Sequence, residues 1–165
     1  MSKVALNKNL KMIVCVGPEN IIGDKQPQGN GMLWHIKEEL LYFKNITLGH
    51  TLLFGASTAN VVPIELMKKN REVIVLHRNM NVPKLIEELS SQNKTIFICG
   101  GHSIYKYFLD NFEIDEIYLS RIKDTVKIAE AREPLYLPKI EDYGYMINSS
   151  KDFEEFTTYI YKLKK

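Results

Sequence analysis

The sequence predicts an α/β fold in which a mixed β-sheet is flanked by helices. Short runs of β-branched and other apolar residues alternate with helical patterns over residues 11–122, which is typical of parallel strands joined by crossover helices. After residue 122, two closely spaced segments of alternating polar and apolar residues indicate an antiparallel pair. With 165 residues, 45% of them apolar, the chain can bury one core, and we expect a single domain over residues 1–165.

The predicted strands are short apolar runs, and three of them are followed directly by a glycine that ends the run. In the body of the chain, strands are expected at residues 11–16, 51–54, 72–76, 95–99 and 114–122. The antiparallel pair is expected at residues 143–148 and 156–163. Between the strands, the spacing of apolar residues favours helices at residues 36–47, 63–69, 82–91 and 103–109.

The charge balance and the apolar runs exclude several classes of function. Twenty-two Lys and Arg against twenty Asp and Glu give a formal net charge of +2, too small to indicate nucleic-acid or membrane binding. The apolar runs are far shorter than the roughly 20 residues of a membrane helix, and none resembles a secretory h-region, so we expect a cytoplasmic protein. Cys15 and Cys99 each lie inside an apolar run, which predicts buried free thiols, not a disulfide or a metal site.

A long loop separates the first strand from the first helix. Residues 24–33 are rich in Gly and Gln and favour neither helix nor strand. A loop of this length in a compact domain is usually either functional or disordered, and its composition leaves both interpretations open.

The first helix places a carboxylate on its apolar face. At about 100° per residue, Ile36, Leu40, Phe43 and Thr47 fall on one face, and Glu39 lies within the same arc, whereas Glu38 points towards solvent. A carboxylate that faces the core needs a hydrogen-bonding partner or an opposite charge, or its pKa rises. Such groups are frequent at functional sites, although structural ion pairs and boundary glutamates that reach water give the same pattern.

Two strand ends have the features of phosphate-binding turns. Residues 96–105 lead from a strand through Gly100-Gly101 into a helix, and residues 51–58 do the same through Gly55. Glycines let a ligand approach the backbone, and the amides at a helix start attract phosphate, so two such ends side by side would suit a pyrophosphate. The alternative is a pair of tight turns, since the dinucleotide fingerprint and the Walker loop are both missing from the sequence.

Basic residues flank the strand predicted at residues 72–76. Arg71 precedes this strand, and His77-Arg78 follow it. A guanidinium at a strand edge usually meets solvent, but its planar fork also suits a substrate carboxylate or a phosphate. No histidine has a Ser, Cys or metal-ligand partner nearby in the sequence, which gives no support to a hydrolytic triad or a zinc site.

In their order along the chain, these features resemble dihydrofolate reductase over residues 11–122. The motifs that carry the resemblance are Ile21-Ile22-Gly23, Leu33-Trp34-His35-Ile36-Lys37-Glu38-Glu39-Leu40, Phe43-Lys44, Thr47-Leu48-Gly49, Gly55 with Thr58, Arg71, Leu76-His77-Arg78-Asn79, Gly100-Gly101 to Tyr105, and residues 115–122. Each motif is common alone, but the series in one order is specific. The resemblance implies a dihydrofolate-reductase-like three-layer sandwich with a central eight-stranded mixed sheet and about four flanking helices.

The resemblance also implies an enzyme, an NADPH-dependent oxidoreductase acting on CH–NH groups that reduces dihydrofolate to tetrahydrofolate. It assigns Glu39 the place of the acidic residue of the pterin pocket, where it assists protonation of N5. Trp34 would orient a water, and Met32 falls in the loop that closes over the nicotinamide. The implied substrate-binding residues are Ile13, Glu39, Leu40, Phe43, Arg71, Cys99, Tyr105 and Ser120. The implied cofactor-binding residues are Cys15, Ile22, Gly23, Gly55, Ser57, Thr58, Leu76, His77, Arg78, Gly100, Gly101, Ser103 and Ile104.

The sequence departs from the family pattern at several positions. Ala56 and Ser103 stand where family members often or sometimes have a basic residue, which leaves Arg78, with His77, as the candidate for the 2′-phosphate of NADPH. The family's Gly-Asp-Thr-x-Phe-Pro-like segment is unrecognisable, and residues 134–138 are at best its remnant. The resemblance implies a monomer with a small-molecule substrate, no metal, and no nucleic-acid or membrane partner.

Two alternatives from the same superfold stay open. One is another pteridine or pyrimidine reductase, such as the pyrimidine reductase of riboflavin synthesis; Glu39 and Arg71 discriminate, because they suit a 2-aminopterin edge and a carboxylate tail. The other is a nucleotide-binding homologue without turnover, against which Glu39 and Trp34 both argue. A Rossmann-type or flavodoxin-like domain would fit the strand and helix pattern but lacks its fingerprint.

Overall fold

The computed structural model describes residues 9–26 and 33–164. The strands in these ranges are β1 (Leu10–Val16), β2 (Ile21–Asp24), β3 (Thr51–Gly55), β4 (Glu72–Leu76), β5 (Ile96–Ile98), β6 (Glu116–Ile122), β7 (Pro134–Tyr136), β8 (Tyr145–Asp152) and β9 (Phe156–Leu163). The helices are α1 (Lys37–Thr47), α2 (Ala56–Ala59), α3 (Ile64–Met67), α4 (Val82–Ser91) and α5 (His102–Asn111). Single 3₁₀ turns form at Pro18–Asn20 and Ile140–Tyr143.

A mixed sheet with the strand order β4-β3-β5-β1-β6-β9-β8 forms the centre of the molecule. β1 pairs in parallel with β5 and β6, and β3 pairs in parallel with β4 and β5. β9 is antiparallel to both β6 and β8. The predicted combination of a parallel body with an antiparallel edge is therefore confirmed, and the carboxyl ends of five parallel strands meet along one edge of the sheet.

Helices cover both faces of this sheet. Successive side chains of a strand point to opposite faces, so Met12 and Val14 of β1 pack with residues of α4 and α5 in one core cluster. Ile13 lies in a second cluster, to which Phe43 of α1 and Met67 of α3 contribute. A third, smaller cluster contains Ile36, Ile122 and Phe156, against which Trp34 and Cys15 pack. The predicted three-layer arrangement is confirmed.

The strand count differs from the expectation of eight. In the part of the chain that the structure describes, the central sheet has seven strands, and β2 and β7 form a separate two-stranded antiparallel sheet. The main-chain groups of β7 pair with β2, with a register shift between Ile21 and Gly23, so β7 does not extend the central sheet. There are five helices in the described ranges where about four were expected, because the four-residue α2 follows β3 directly.

The predicted elements are all present, and their ends differ most at β8. This strand was expected over residues 143–148 but runs to Asp152. All its residues after Tyr145 are exposed, so the apolar alternation used to place its end stops before its hydrogen bonding to β9 does. In the described ranges, no helix combines the length and the apolar character that crossing a membrane requires.

Asp24, at the end of β2, accepts main-chain hydrogen bonds that attach β2 to the segment before β7. Its carboxylate accepts hydrogen bonds from the backbone N–H groups of Gln26, Arg132 and Glu133, each at 2.9 Å. The backbone N–H of Lys25 donates to the carbonyl of Glu133 at 2.8 Å. Burial opposes ionisation of Asp24, but the three backbone donors hold its pKa below the ordinary value. The start of the long loop is thus attached to the segment that precedes β7.

Candidate active site

The predicted site residues lie near both ends of the parallel strands, because Gly55 ends β3 whereas Arg71 precedes β4. Glu39 extends from the first turn of α1, where Ile36 is the N-cap residue and is almost fully buried. Glu38 is exposed on the opposite side of the helix, as its position in the helical period predicts. The side chains whose pKa values respond to Glu39 belong to β1, to α5 and to the next turn of its own helix.

Burial dominates the chemistry of Glu39. Removal from water disfavours the charged carboxylate and raises the pKa of Glu39 to about 7, and a side-chain hydrogen bond with Cys15 partly opposes this rise. Among the described residues, no lysine, arginine or histidine contributes to the shift. The interpretation of Glu39 as half of a structural ion pair is therefore wrong within this part of the chain, and the group can hold a proton near neutral pH.

Three other acidic side chains surround Glu39. Glu39 and Trp34 are both close enough to Cys15 to change the pKa of its thiol. The hydroxyl of Tyr105 donates to the carbonyl of Ile13 at 2.8 Å. Burial, followed by electrostatic repulsion that includes Glu39, raises the pKa of Cys15, of Tyr105 and of Tyr42, so all three stay neutral beside it.

Hydrogen bonds through Thr47 connect two further predicted residues, Phe43 and Arg71. The hydroxyl of Thr47 donates to the carbonyl of Phe43 at 2.8 Å and accepts from the Arg71 guanidinium at 3.2 Å. The Nε–H of Arg71 donates to the side-chain oxygen of Asn70 at 2.9 Å. Arg71 is only 9% exposed, and burial lowers its pKa. None of the ion pairs found among the described residues includes it, so this buried guanidinium has neutral partners there.

The two glycine turns predicted at strand ends lie against each other. β3 and β5 are neighbours, and the backbone N–H of Gly55 donates to the carbonyl of Gly100 at 2.7 Å. A methyl group at Gly101 would lie 2.6 Å from the hydroxyl oxygen of Thr58, and one at Gly55 would lie 2.8 Å from a side-chain carbon of Ile104. Gly100 has a φ of +124° and a cis peptide bond to Gly101. Where the two turns meet, there is therefore room for backbone atoms but not for side chains at Gly55 and Gly101.

The cofactor candidates on β4 lie at the same edge of the sheet. Leu76 is paired with Gly55 in the register of β3 and β4, and His77 and Arg78 follow it as exposed residues. Ser57 in α2 and Ser103 in α5 are exposed in the first turns that follow the glycines. This edge thus brings together main-chain N–H groups, hydroxyls and a guanidinium, a donor set suited to the phosphates of a dinucleotide.

The remaining predicted residues differ in their surroundings. Cys99 and Ser120 are buried, and the Ser120 hydroxyl donates to that of Thr158 at 3.2 Å. Leu40 is 41% exposed, more than an apolar residue of the core. Ile22 packs against the main core cluster, whereas a methyl group at Gly23 would meet nothing within 4 Å. Met32 lies outside the described residues, and so does most of the loop assigned to nicotinamide closure.

Sequence reasoning missed two residues beside the predicted set. They are Tyr42 and Thr158 of β9: the pKa of Tyr42 responds both to Glu39 and to Thr158. The helical period gives a signal for Tyr42, because residues three apart on a helix are neighbours. Thr158 had no such signal, since it reaches the site only through the antiparallel pairing of β6 and β9.

Two cavities lie away from this cluster. One, of about 380 Å³, is bounded by His50, Glu72 and Lys94 near the opposite ends of β3 and β4. The other, of about 310 Å³, lies between Glu19, Ile128 and Tyr136. The residues that bound them include none of the predicted site residues.

Comparison with known proteins bears directly on this arrangement. The family model described as dihydrofolate reductase matches residues 9–164. The chain belongs to the dihydrofolate reductase family. The dihydrofolate reductase of Mycoplasma genitalium is 28% identical over 163 residues, which cover 89% of this chain and 93% of that protein. The dihydrofolate reductase of Staphylococcus aureus is 24% identical over 119 residues, covering 69% and 71% respectively. The family match extends beyond the resemblance noted over residues 11–122 and includes the degenerate segment before β8.

The buried carboxyl makes stability depend on pH. Glu39 has a pKa of about 7 in the folded protein and an ordinary value of 4.5 when exposed. Between these values unfolding releases the Glu39 proton, so its contribution to stability is complete below pH 4.5 and is lost as the pH rises through 7. We expect Glu39→Gln to become more stable relative to the wild type as the pH rises. The difference between their unfolding free energies should change in favour of the variant by up to about 3 kcal/mol between pH 5 and pH 8.

Urea unfolding at the two pH values measures this difference. The exposed neighbour provides the matched control, Glu38→Gln, which should change by the same amount at both. Parallel pH profiles for the wild type and Glu39→Gln would show that the Glu39 carboxyl is solvated.

Proposed function

We propose that this protein reduces 7,8-dihydrofolate to 5,6,7,8-tetrahydrofolate with NADPH as the reductant. The observation that carries the proposal is the partly buried Glu39 carboxyl, whose pKa burial raises to about 7, in a chain of the dihydrofolate reductase family. The similarity to the dihydrofolate reductases of Mycoplasma genitalium and Staphylococcus aureus supports the same activity.

Glu39 binds and orients the pterin in this proposal. A carboxylate offers two oxygens that accept hydrogen bonds, which matches the 2-amino group and the adjacent ring nitrogen of a pterin. Near neutral pH the group also exists in its protonated form, and through an intervening water it delivers a proton towards N5. Trp34, which packs beside Cys15 above β1, limits where that water can stand.

The rest of the substrate is recognised by the group that ends at Arg71. Ile13, Phe43 and Cys99 share one apolar cluster and provide the walls for the pterin and benzoyl rings. Arg71 is buried with neutral partners among the described residues, and a buried guanidinium is stabilised by a carboxylate in bidentate geometry. The α-carboxylate of the glutamate tail supplies that group.

The neighbouring edge of the sheet fits NADPH. Gly55 and Gly101 have no room for a side chain, because Ile104 and Thr58 pack against them, and the exposed Arg78 offers a guanidinium for a 2′-phosphate. When bound there, NADPH supplies the hydride that C6 of the pterin accepts. The chain's part is to hold the two ligands side by side.

Oxidation of NADPH in the presence of dihydrofolate tests the proposal directly. We expect rapid loss of reduced-nicotinamide absorbance that depends on dihydrofolate, and a lower KM for NADPH than for NADH because Arg78 can meet the additional phosphate. No oxidation by a protein that still binds NADPH would point to a different reductase substrate or to a homologue without turnover.

Glu39→Gln tests the assigned acid. The variant keeps the shape of the side chain but cannot exchange the proton, so kcat at neutral pH should fall by two or more orders of magnitude. Binding of NADPH, measured by fluorescence titration, should stay within about twofold of the wild type, because Glu39 belongs to the pterin side. Equal losses in turnover and in NADPH affinity would remove Glu39 from this role.

Arg71→Ala and Arg78→Ala form a matched pair, since each removes one guanidinium from a different ligand. We expect Arg71→Ala to weaken dihydrofolate binding by about one to two orders of magnitude, because a charged hydrogen-bonded pair contributes roughly 1.5–3 kcal/mol. Binding of a pterin without the glutamate tail should change little. Arg78→Ala should raise the KM for NADPH and leave the KM for dihydrofolate unchanged. An unaltered dihydrofolate affinity in Arg71→Ala would exclude Arg71 from the site.

A further inference from the structure

We propose that Asn70 is a positioning residue that determines which edge of the Arg71 guanidinium meets the carboxylate of the substrate. The inference rests on the proposed function, since it concerns the group assigned there to the glutamate tail. Its starting point is a hydrogen bond of ordinary length, in which the Nε–H of Arg71 donates to the side-chain oxygen of Asn70 at 2.9 Å.

The main chain holds Asn70 in place without the help of its side chain. The Asn70 carbonyl accepts a hydrogen bond from the backbone N–H of Gly49 at 2.9 Å. Its own backbone N–H donates to the carbonyl of Met67, the last residue of α3, at 3.3 Å. Asn70 is exposed, so a change of its side chain leaves both main-chain contacts and the core intact.

Two of the five N–H groups of Arg71 are used inside the protein. Asn70 accepts from Nε, and the hydroxyl of Thr47 accepts from Nη1 at 3.2 Å. A guanidinium carries one N–H on Nε and two on each terminal nitrogen, so the three that remain are all on Nη1 and Nη2. Because Asn70 occupies Nε, a carboxylate that binds through two parallel hydrogen bonds has to use the terminal edge.

The partners of Arg71 leave its positive charge available to a ligand. Both are neutral groups, an amide and a hydroxyl, which accept hydrogen bonds without adding a negative charge. Glu72, the next residue in the chain, is engaged elsewhere: it accepts from the hydroxyl of Thr51 at 2.8 Å and pairs with Lys94 at 2.9 Å. The guanidinium is thus oriented by the protein but not neutralised by these partners.

Two substitutions at Asn70 separate orientation from charge. Asn70→Ala removes the acceptor and lets the guanidinium rotate, whereas Asn70→Asp keeps an acceptor at the same place but adds a charge that competes with the ligand. We expect the Kd for dihydrofolate to rise by about three- to tenfold in Asn70→Ala and by about tenfold or more in Asn70→Asp.

A ligand without the glutamate tail shows whether the effect is confined to Arg71. A dihydropterin that lacks the tail should bind to both variants as tightly as to the wild type. In Asn70→Ala the KM for dihydrofolate should rise, while kcat falls by no more than about twofold. Asn148→Ala is the matched control, because it removes the same side chain from an exposed position on β8. An unchanged Kd for dihydrofolate in Asn70→Ala, or equal losses for the two ligands, would overturn the proposal.

The free protein offers a second measurement that needs no turnover. Nitrogen NMR spectroscopy follows the exchange of the Arg71 Nε–H with solvent, and Arg71→Lys assigns the signal. We expect this exchange to be about tenfold faster, or more, in Asn70→Ala than in the wild type, because the acceptor is lost. Equal exchange rates would show that Asn70 does not hold the guanidinium.

The same spectra report which edge of Arg71 the ligand uses. Addition of dihydrofolate to the wild type should shift the signals of the two terminal nitrogens, whereas the Nε–H signal should move less because Asn70 retains it. A larger shift at Nε than at the terminal nitrogens would mean that the carboxylate displaces Asn70, and the proposal would fail.

These readouts also separate the two hypotheses. If dihydrofolate binds and shifts the terminal nitrogens but is not reduced, the proposed function alone is wrong. If dihydrofolate is reduced with the same KM by the wild type and by Asn70→Ala, the role of Asn70 alone is wrong. If dihydrofolate does not bind at all, both are wrong.

Discussion

The parallel pairing of β1 with a neighbour on each side is the constraint on which the molecule depends. This strand fixes β5 and β6 in register, and through β5 it fixes β3 and β4. Because these five strands point the same way, the turns after β3 and β5 and the residues after β4 emerge at one edge. Alternation along β1 then sends Val14 into one core and Ile13 into the other, so the same strand joins both helical layers.

Burial gives the Glu39 carboxyl a pKa near neutrality, which exposed carboxylates lack. Glu39 is desolvated without a cationic partner among the described residues, which keeps a proton available near neutrality at a cost to folding. Its surroundings are acids that stay neutral, so they add little charge of their own to the pocket. Arg71 is desolvated in the same way but carries the opposite charge.

Much of this arrangement follows from local sequence patterns. The position of Glu39 on the inner side of α1 depends only on the period of the helix, and the two glycine turns depend only on strand ends followed by helices. The two-stranded sheet was missed because β2 and β7 are three or four residues long and are separated by more than a hundred residues.

Contacts that depend on tertiary packing leave no local pattern in the sequence. Cys15 was assigned to the cofactor by resemblance, and the influence of Glu39 and Trp34 on the pKa of its thiol could not be predicted from the sequence. A thiol in an apolar run looks the same whether it faces a ligand, a core or a carboxylate. The hydrogen bond between Arg71 and Thr47 could not be predicted from the sequence either. Thr47 ends α1, which precedes β3 in the chain, whereas Arg71 follows β3.

The fastening of the long loop by Asp24 has a consequence for the evolution of the partner segment. The donors at Arg132 and Glu133 are main-chain N–H groups, which every residue type except proline possesses. Mutations can therefore replace the side chains at these two positions without breaking the attachment, provided that the backbone keeps its path. The contact therefore needs only one particular side chain, that of Asp24. The opposite segment can lose all sequence resemblance to its relatives while its backbone keeps the same path.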